Sequence, residues 1–324
     1  MVLKRRDFLS LTGGVVVSAA FTPNAVLAAD GAVSVVATTG MVADTARRVG
    51  GDLVNVQALM GPGVDPHAYR QTRTDIVAMA NADLLLWNGL YLEAQLEGVL
   101  GNMAARTTVK AVAEAVAEDL RVAHDDYNDR FDPHVWMDPE LWRDVITATR
   151  DALIEVAPQH ETVFVANADV FVAEVDQLAI YSKAVLASVP QSARVLVTAH
   201  DAFNYFGRAY GFEVVGVQGI STESEAGLNR ISELVDMLVD REVAAVFVES
   251  SVSDQSIRAL IEGAAAQGHE VRIGGELYSD AMGAPGTYEG TYIGMIDHNV
   301  TVIAGGLGGT VPERGMNGQL KAGS

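Results

Sequence analysis

Residues 160–188 read HETVFVANADVFVAEVDQLAIYSKAVLAS, a stretch with neither glycine nor proline. Within it Phe164, Ala168, Phe171, Val175, Leu178 and Tyr181 recur at three- and four-residue steps, the spacing that lines one face of an α-helix. The simplest reading is a single long helix in mid-chain. A continuous helix has few soft torsions, so as a connector it would restrict hinge motion more than flexible strands do. The competing reading is a peripheral helix of one domain.

On either side of this stretch, short β-rich runs alternate with longer helical ones, the pattern of an α/β fold with a mostly parallel sheet. Before it, strands are expected at 33–37, 53–59, 83–87 and near 107–111. Helices are expected at 41–49, 72–82, 93–105 and 139–156, the last with Pro139 in its first turn. After Pro190 a second series begins, with strands at 194–199, 213–217, 244–249 and 270–273. Its helices fall at 202–210, 228–240 and 254–267, where Gly268 supplies a stop. The fold class expected is therefore α/β: two α/β lobes with mostly parallel sheets joined by one long rigid helix. Residues 30–157 would form the N-terminal lobe, 158–190 the linking helix and 191–324 the C-terminal lobe.

Residues 1–29 read as a signal peptide. Lys4, Arg5 and Arg6 precede a small, apolar run, and Val26-Leu27-Ala28-Ala29 offers small-residue cleavage positions. Arg5-Arg6-Asp7-Phe8-Leu9 resembles a twin-arginine export signal, although paired arginines also occur in general secretory signals. Pro23, Asn24 and two glycines argue against a membrane anchor, and no later segment reaches about 18 uninterrupted apolar residues.

The 324 residues are 49% hydrophobic and 20% charged, a globular composition large enough for two domains. The formal net charge is −20, and −22 once the +2 of residues 1–29 is set aside. Such a surface repels a phosphate backbone, which excludes nucleic acid as a partner and leaves open a weak steering of cations. There is no cysteine. Disulfides, thiolate metal sites and iron–sulfur clusters are thereby excluded, as is a lipid attached through an N-terminal cysteine. Any metal must sit on nitrogen and oxygen.

Seven histidines can be sorted by position relative to the strands, because ligands of open α/β sheets bind outside the carboxyl ends of the strands. His67 closes Met60-Gly61-Pro62-Gly63-Val64-Asp65-Pro66-His67, a loop directly after the second expected strand. His134 sits in the proline-flanked turn Asp132-Pro133-His134-Val135-Trp136-Met137-Asp138-Pro139, and His200 follows the strand at 194–199. Asp280, in Tyr278-Ser279-Asp280, holds the corresponding place after the last strand. Each lobe thus contributes two donors, and three imidazoles with one carboxylate suit zinc or manganese, in a tetrahedral or five-coordinate site. Glu249, ending the strand at 244–249, is a candidate to support the centre from behind or to act as a helix cap. His124 in the polar run 124–130, His160 and His269 read as solvated, and His298 as a structural hydrogen-bonding residue. The polar run holds a single histidine, so it is no histidine-rich metal antenna.

These stretches, together with Val36 to Asp44, Thr198-Ala199-His200-Asp201-Ala202-Phe203, Phe247 to Ser253 and Gly274-Gly275-Glu276-Leu277, carry a resemblance to a known family. The chain resembles the metal-binding subunits of manganese and zinc ABC importers, the TroA-like solute-binding proteins. The resemblance implies two α/β lobes joined by one long helix, with His67, His134, His200 and Asp280 as metal ligands. It also implies a periplasmic, monomeric protein that delivers Mn2+ or Zn2+, with Fe2+ also open, to an importer permease and its ATPase. Members with glutamate in place of His200 are generally manganese-type, whereas those with histidine include zinc-type and mixed proteins. Many relatives carry a lipid-bearing cysteine; this chain departs from them, so a freely diffusing periplasmic form with no membrane anchor is expected.

Three other classes compete. A three-histidine zinc could activate water in an enzyme, but there is no His-Glu-x-x-His helix and no Gly-x-Ser-x-Gly elbow, so no catalytic role is expected. A carrier of haem or a siderophore needs a wide aromatic cleft, and aromatic residues make up only 6% of the chain. An adhesive or structural protein would show a repeat or an anchor, and neither is visible.

Overall fold

The computed structural model describes residues 31–124 and 130–321. The signal-peptide reading of residues 1–29 and the tip of the polar run at 125–129 lie outside the described residues.

In the first half, β1 (Val33–Ala37), β2 (Val54–Ala58), β3 (Leu84–Trp87) and β4 (Thr108–Ala111) form one parallel sheet in the order β2-β1-β3-β4. α1 (Gly40–Gly50) links β1 to β2 and begins where the Thr39 hydroxyl accepts from Val42 N. α2 (Arg73–Ala80) begins in a reciprocal capping box between Thr72 and Asp75. α3 (Glu97–Met103) precedes β4, and α4 (Pro139–Val156) follows it, capped by the Asp138 carboxylate. Because β1 leads outward to β2 while β3 lies on its other side, the chain reverses direction between β1 and β3. That switch point opens a crevice at the carboxyl ends of the strands.

The second half holds two parallel strand pairs. β5 (Val195–Thr198) pairs with β6 (Glu213–Gly216), and β7 (Ala245–Glu249) pairs with β8 (Arg272–Leu277), both in parallel. β5 also lies against β7, so the spatial order is β6-β5-β7-β8. α6 (Asn204–Tyr210), α7 (Leu228–Asp240) and α8 (Gln255–Ala266) connect these strands, and α9 (Tyr292–Gly306) follows the last.

Between the halves runs α5 (Glu161–Leu186), a single helix that packs on α1 and α4 from the first half and α9 from the second. Phe164, Ala168, Phe171, Val175 and Leu178 are buried, as their spacing predicts, and Tyr181 packs partly buried beside them. Burial of each large apolar side chain contributes about 1.5–3 kcal/mol. The core does not stop at the lobe boundary. Trp142 of α4 stacks on Tyr292 of α9, with centroids 5.0 Å apart and planes 13° apart, and Phe171 of α5 meets Tyr292 edge-on. The Tyr292 hydroxyl donates to the carbonyl of Trp136 at 2.9 Å, and its backbone N–H donates to Asp44.

Two elements differ from the sequence expectation. The helix expected at 93–105 is cut to Glu97–Met103, because Leu90 and Tyr91 take positive φ and Glu93 turns inward. The buried Glu93 carboxylate accepts from Asn88 N, Gly89 N and the Thr38 hydroxyl, joining the ends of β1 and β3. The strand expected at 270–273 instead runs through Gly274 and Gly275 to Leu277. A Cβ on Gly274 would stand 2.6 Å from the Phe247 ring, so glycine here serves close strand packing rather than a turn.

Candidate metal centre

His67, His200 and Asp280 are delivered by segments leaving the carboxyl ends of strands, and His134 by the turn that precedes α4. His67 ends the loop after β2, where Gly63 adopts φ +70° and presses toward Ser250 of the other lobe. His67 N donates to Asp65 Oδ1 at 2.8 Å. His134 leads into a 3-10 turn, Val135–Met137, which the Asp132 carboxylate organises by accepting His134 N at 2.8 Å. His200 follows β5, and its backbone N–H donates to Glu249 Oε1 at the end of β7. Asp280 follows β8. The preceding Tyr278 is clamped by both ends of the Asn299 amide, and the carbonyl of Ser279 accepts from Trp136 Nε1 of the first lobe at 2.8 Å.

These segments bring one donor atom from each of His67, His134, His200 and Asp280 to within 4.8 Å of one another. His67 Nε2 stands 3.3 Å from His134 Nε2. Asp280 lies 3.4 Å from His134 Nε2, 3.2 Å from His200 Nε2 and 4.0 Å from His67 Nε2. His67 is 3% exposed, Asp280 2% and the other two 0%, so the cluster is closed to solvent. Two of the imidazoles are fixed from behind. His134 Nδ1 meets Asp132 at 2.7 Å, and His200 Nδ1 meets Glu249 at 2.5 Å. With Nδ1 committed to a carboxylate, Nε2 is the nitrogen left to face the centre.

The electrostatics follow from burial and from these carboxylates. Burial pushes the His67 imidazole down to about 3, with Asp280 offsetting it only in part. Burial acts the same way on His134, but the Asp132 and Asp280 carboxylates outweigh it and hold that ring up at about 9. His200 is also raised well above its ordinary value, because Asp280 and Glu249 outweigh burial. Burial would raise Asp280, yet the facing His200 and His134 hold it well below the usual carboxylate range.

The donor set fits a small divalent cation. Both Asp280 oxygens and His200 Nε2 lack a hydrogen-bond partner among the described residues; their mutual contacts are at ion-pair distance without hydrogen-bond geometry. Buried polar atoms left so are costly, and a coordinated cation would satisfy all three. Tetrahedral coordination with bonds of about 2.0–2.1 Å places donors about 3.3 Å apart, close to the shorter separations here.

All four donors predicted from the sequence meet at this centre. Glu249, left between support and cap, stands behind His200. Asp132 was missed as a partner of His134, although it lies two residues away. Asp132 also anchors the second lobe, accepting from Asn204 Nδ2 at Oδ2 and from the Tyr205 hydroxyl at its carbonyl. Of the remaining histidines, His298 bonds the carbonyl of Glu276 as expected. His124 is buried rather than solvated, in a segment closed by its N–H to the carbonyl of Arg130. His269 likewise bonds a carbonyl, that of Val243, and His160 lies edge-on to Phe164.

The family described as ZnuA, the periplasmic component A of a zinc-uptake complex, matches residues 35–306. The chain belongs to the ZnuA family. Within it, the chain is 45% identical over 286 residues to the manganese-binding lipoprotein MntA of Bacillus subtilis (strain 168), covering 88% of this chain and 93% of that one. The solved structure of the periplasmic zinc-binding protein TroA from Treponema pallidum superposes with a TM-score of 0.83 at 42% identity, covering 86% of this chain and 99% of TroA. Fe(III)-bound YtgA from Chlamydia trachomatis superposes with a TM-score of 0.79 at 27% identity, covering 87% and 100%. The α/β architecture with parallel sheets in two lobes is thus that of the ZnuA family. Among the described residues no helix is long and apolar enough to cross a membrane.

Proposed function

We propose that this protein is an extracytoplasmic solute-binding protein that captures a divalent transition metal and delivers it to an ABC importer permease and its ATPase. The ligands are His67, His134, His200 and Asp280, two from each lobe, and the cargo is Mn2+ or Zn2+, with Fe2+ within reach of the same donors. One observation carries the reading: four buried donors from two lobes converge with unsatisfied atoms facing one another. MntA is named for manganese, TroA for zinc, and the YtgA structure is Fe(III)-bound, which supports a metal cargo while leaving a choice among the three elements.

The division into an export signal at 1–29, lobes at 30–157 and 191–324 and a connector at 158–190 belongs to the same proposal. So do a monomeric state and the absence of a cysteine-linked lipid, the latter because these 324 residues hold no cysteine. A catalytic role is set aside because, among the described residues, Asp280 at the centre is itself a donor and the carboxylates behind it, Asp132 and Glu249, are committed to the imidazoles.

The test is calorimetry on metal-stripped protein titrated with Mn2+, Zn2+ and Fe2+, beside His67→Ala, His200→Ala and Asp280→Ala. One ion per chain is expected, with each substitution costing more than the roughly 10–100-fold typical of an outer partner. Unchanged affinity in the three variants would remove the site.

A further inference from the structure

His67 is held differently from its two companions. Asp132 and Glu249 each grip a histidine twice, at the backbone N–H and at the ring Nδ1. Asp65 grips His67 at the backbone N–H, through Oδ1. The other oxygen of that carboxylate, Oδ2, accepts from the Thr222 hydroxyl at 2.6 Å. Thr222 belongs to the opposite lobe, in the loop between β6 and α7. One hydroxyl therefore ties the His67 loop across the cleft.

The enclosure of the centre gives this tie a consequence. A cation cannot reach or leave four donors that are 0–3% exposed unless a donor-bearing segment moves. The His134 and His200 rings are each pinned by a carboxylate, and the segment leading to Asp280 is held at Tyr278 by Asn299 and at Ser279 by Trp136. The His67 loop is the donor segment whose carboxylate, Asp65, leaves the ring ungripped and spends its second oxygen on the other lobe, and it carries an exposed run, Gly61 to Gly63.

We propose that Thr222 is a positioning residue for the metal centre, its hydroxyl acting through Asp65 to latch the His67 loop shut and so to set how long the cation stays. The inference rests on the metal-binding reading above. A hydrogen bond to a carboxylate is stronger than a neutral one, so its loss shifts the balance between latched and open loop by about tenfold. If release passes through the open form, the dissociation rate rises by that factor.

A nearby bond supplies the control. Gln95 Nε2 donates to Glu223 Oε1 at 2.6 Å, also across the lobes, with both residues outside the 61–67 loop. Wild-type protein, Thr222→Val, Thr222→Ser and Gln95→Ala would be loaded with Zn2+ and mixed with excess chelator in a stopped-flow instrument. Thr222→Val should release zinc about tenfold faster, whereas Thr222→Ser, which keeps the hydroxyl, and Gln95→Ala should stay within about twofold of wild type. Superimposable urea unfolding of metal-free wild type and Thr222→Val would separate the effect from general loss of stability. Release from Thr222→Val at the wild-type rate, or Gln95→Ala as fast as Thr222→Val, or Thr222→Ser as fast as Thr222→Val, would each overturn the latch. Wild-type protein that takes up no zinc would defeat the metal-binding reading itself, which is a different result from zinc release indifferent to Thr222.

Discussion

At the residue scale, Asp132 and Glu249 decide how two of the donors present themselves. A carboxylate on Nδ1 fixes the ring and its tautomer and makes Nε2 a better ligand, so Asp132→Ala and Glu249→Ala should each weaken metal binding roughly 10–100-fold by calorimetry. The same carboxylates set a pH dependence. In the metal-free protein at pH 7, His134, held at about 9, and His200, held well above its usual value, both carry a proton that the cation must displace. Affinity should therefore climb as pH rises from about 6 to 8, with up to about two protons released per ion; calorimetry in buffers of different ionisation heat counts them. Zero proton release would contradict this assignment. For the metal-free fold the sign is opposite at these two groups: their raised values stabilise it below the unfolded histidine range, and that contribution fades as pH rises through about 9 for His134. The convergence of these four side chains was legible because each follows an expected strand end or a rigid turn, where a binding crevice is required. Asp132 was in plain view in the same turn, but neither periodicity nor spacing says that a carboxylate two residues back will fold under the ring.

At the scale of elements, α5 is the feature that joins the halves, and it does so by burial rather than as a free strut. Phe171 is 1% exposed, meets Tyr292 of α9 edge-on and lies under the Arg48 guanidinium at 4.6 Å. Phe171→Ala should cost about 3–5 kcal/mol, read as a lowered urea midpoint of the metal-free protein. An effect below about 1 kcal/mol would mean that the helix is less integral to the core than its packing implies. Elements set by local signals were readable almost to the residue: α4 begins at Pro139 and α7 runs Leu228–Asp240 as expected. Those set by distant partners were not. Glu93 reads as a helix former, but its carboxylate is claimed by Thr38 and by backbone groups at the end of β3. The strand expected at 270–273 continues through Gly274-Gly275, because the Phe247 ring needs the missing side chain to let β8 lie close.

At the scale of the molecule, two lobes meet beyond the carboxyl ends of their parallel strands, and the centre lies where they meet. A cation held by both lobes should stabilise the closed whole. At free metal about 1,000 times Kd the gain is about 4 kcal/mol, a rise in Tm on the order of 10 °C by scanning calorimetry, and His67→Ala should lose most of it. The two-lobe plan was legible from the alternation of strands and helices about residues 160–188. The continuity of the core across the lobes, through Trp142, Tyr292 and Phe171, was not, because it depends on contacts between residues more than a hundred positions apart. The most direct measurement is anomalous diffraction from crystals of the metal-loaded protein, collected on either side of the absorption edge of the bound element. A single strong peak should lie about 2.0–2.2 Å from the Nε2 atoms of His67, His134 and His200 and from a carboxylate oxygen of Asp280. A peak elsewhere, or none among these four residues at full loading, would contradict the account.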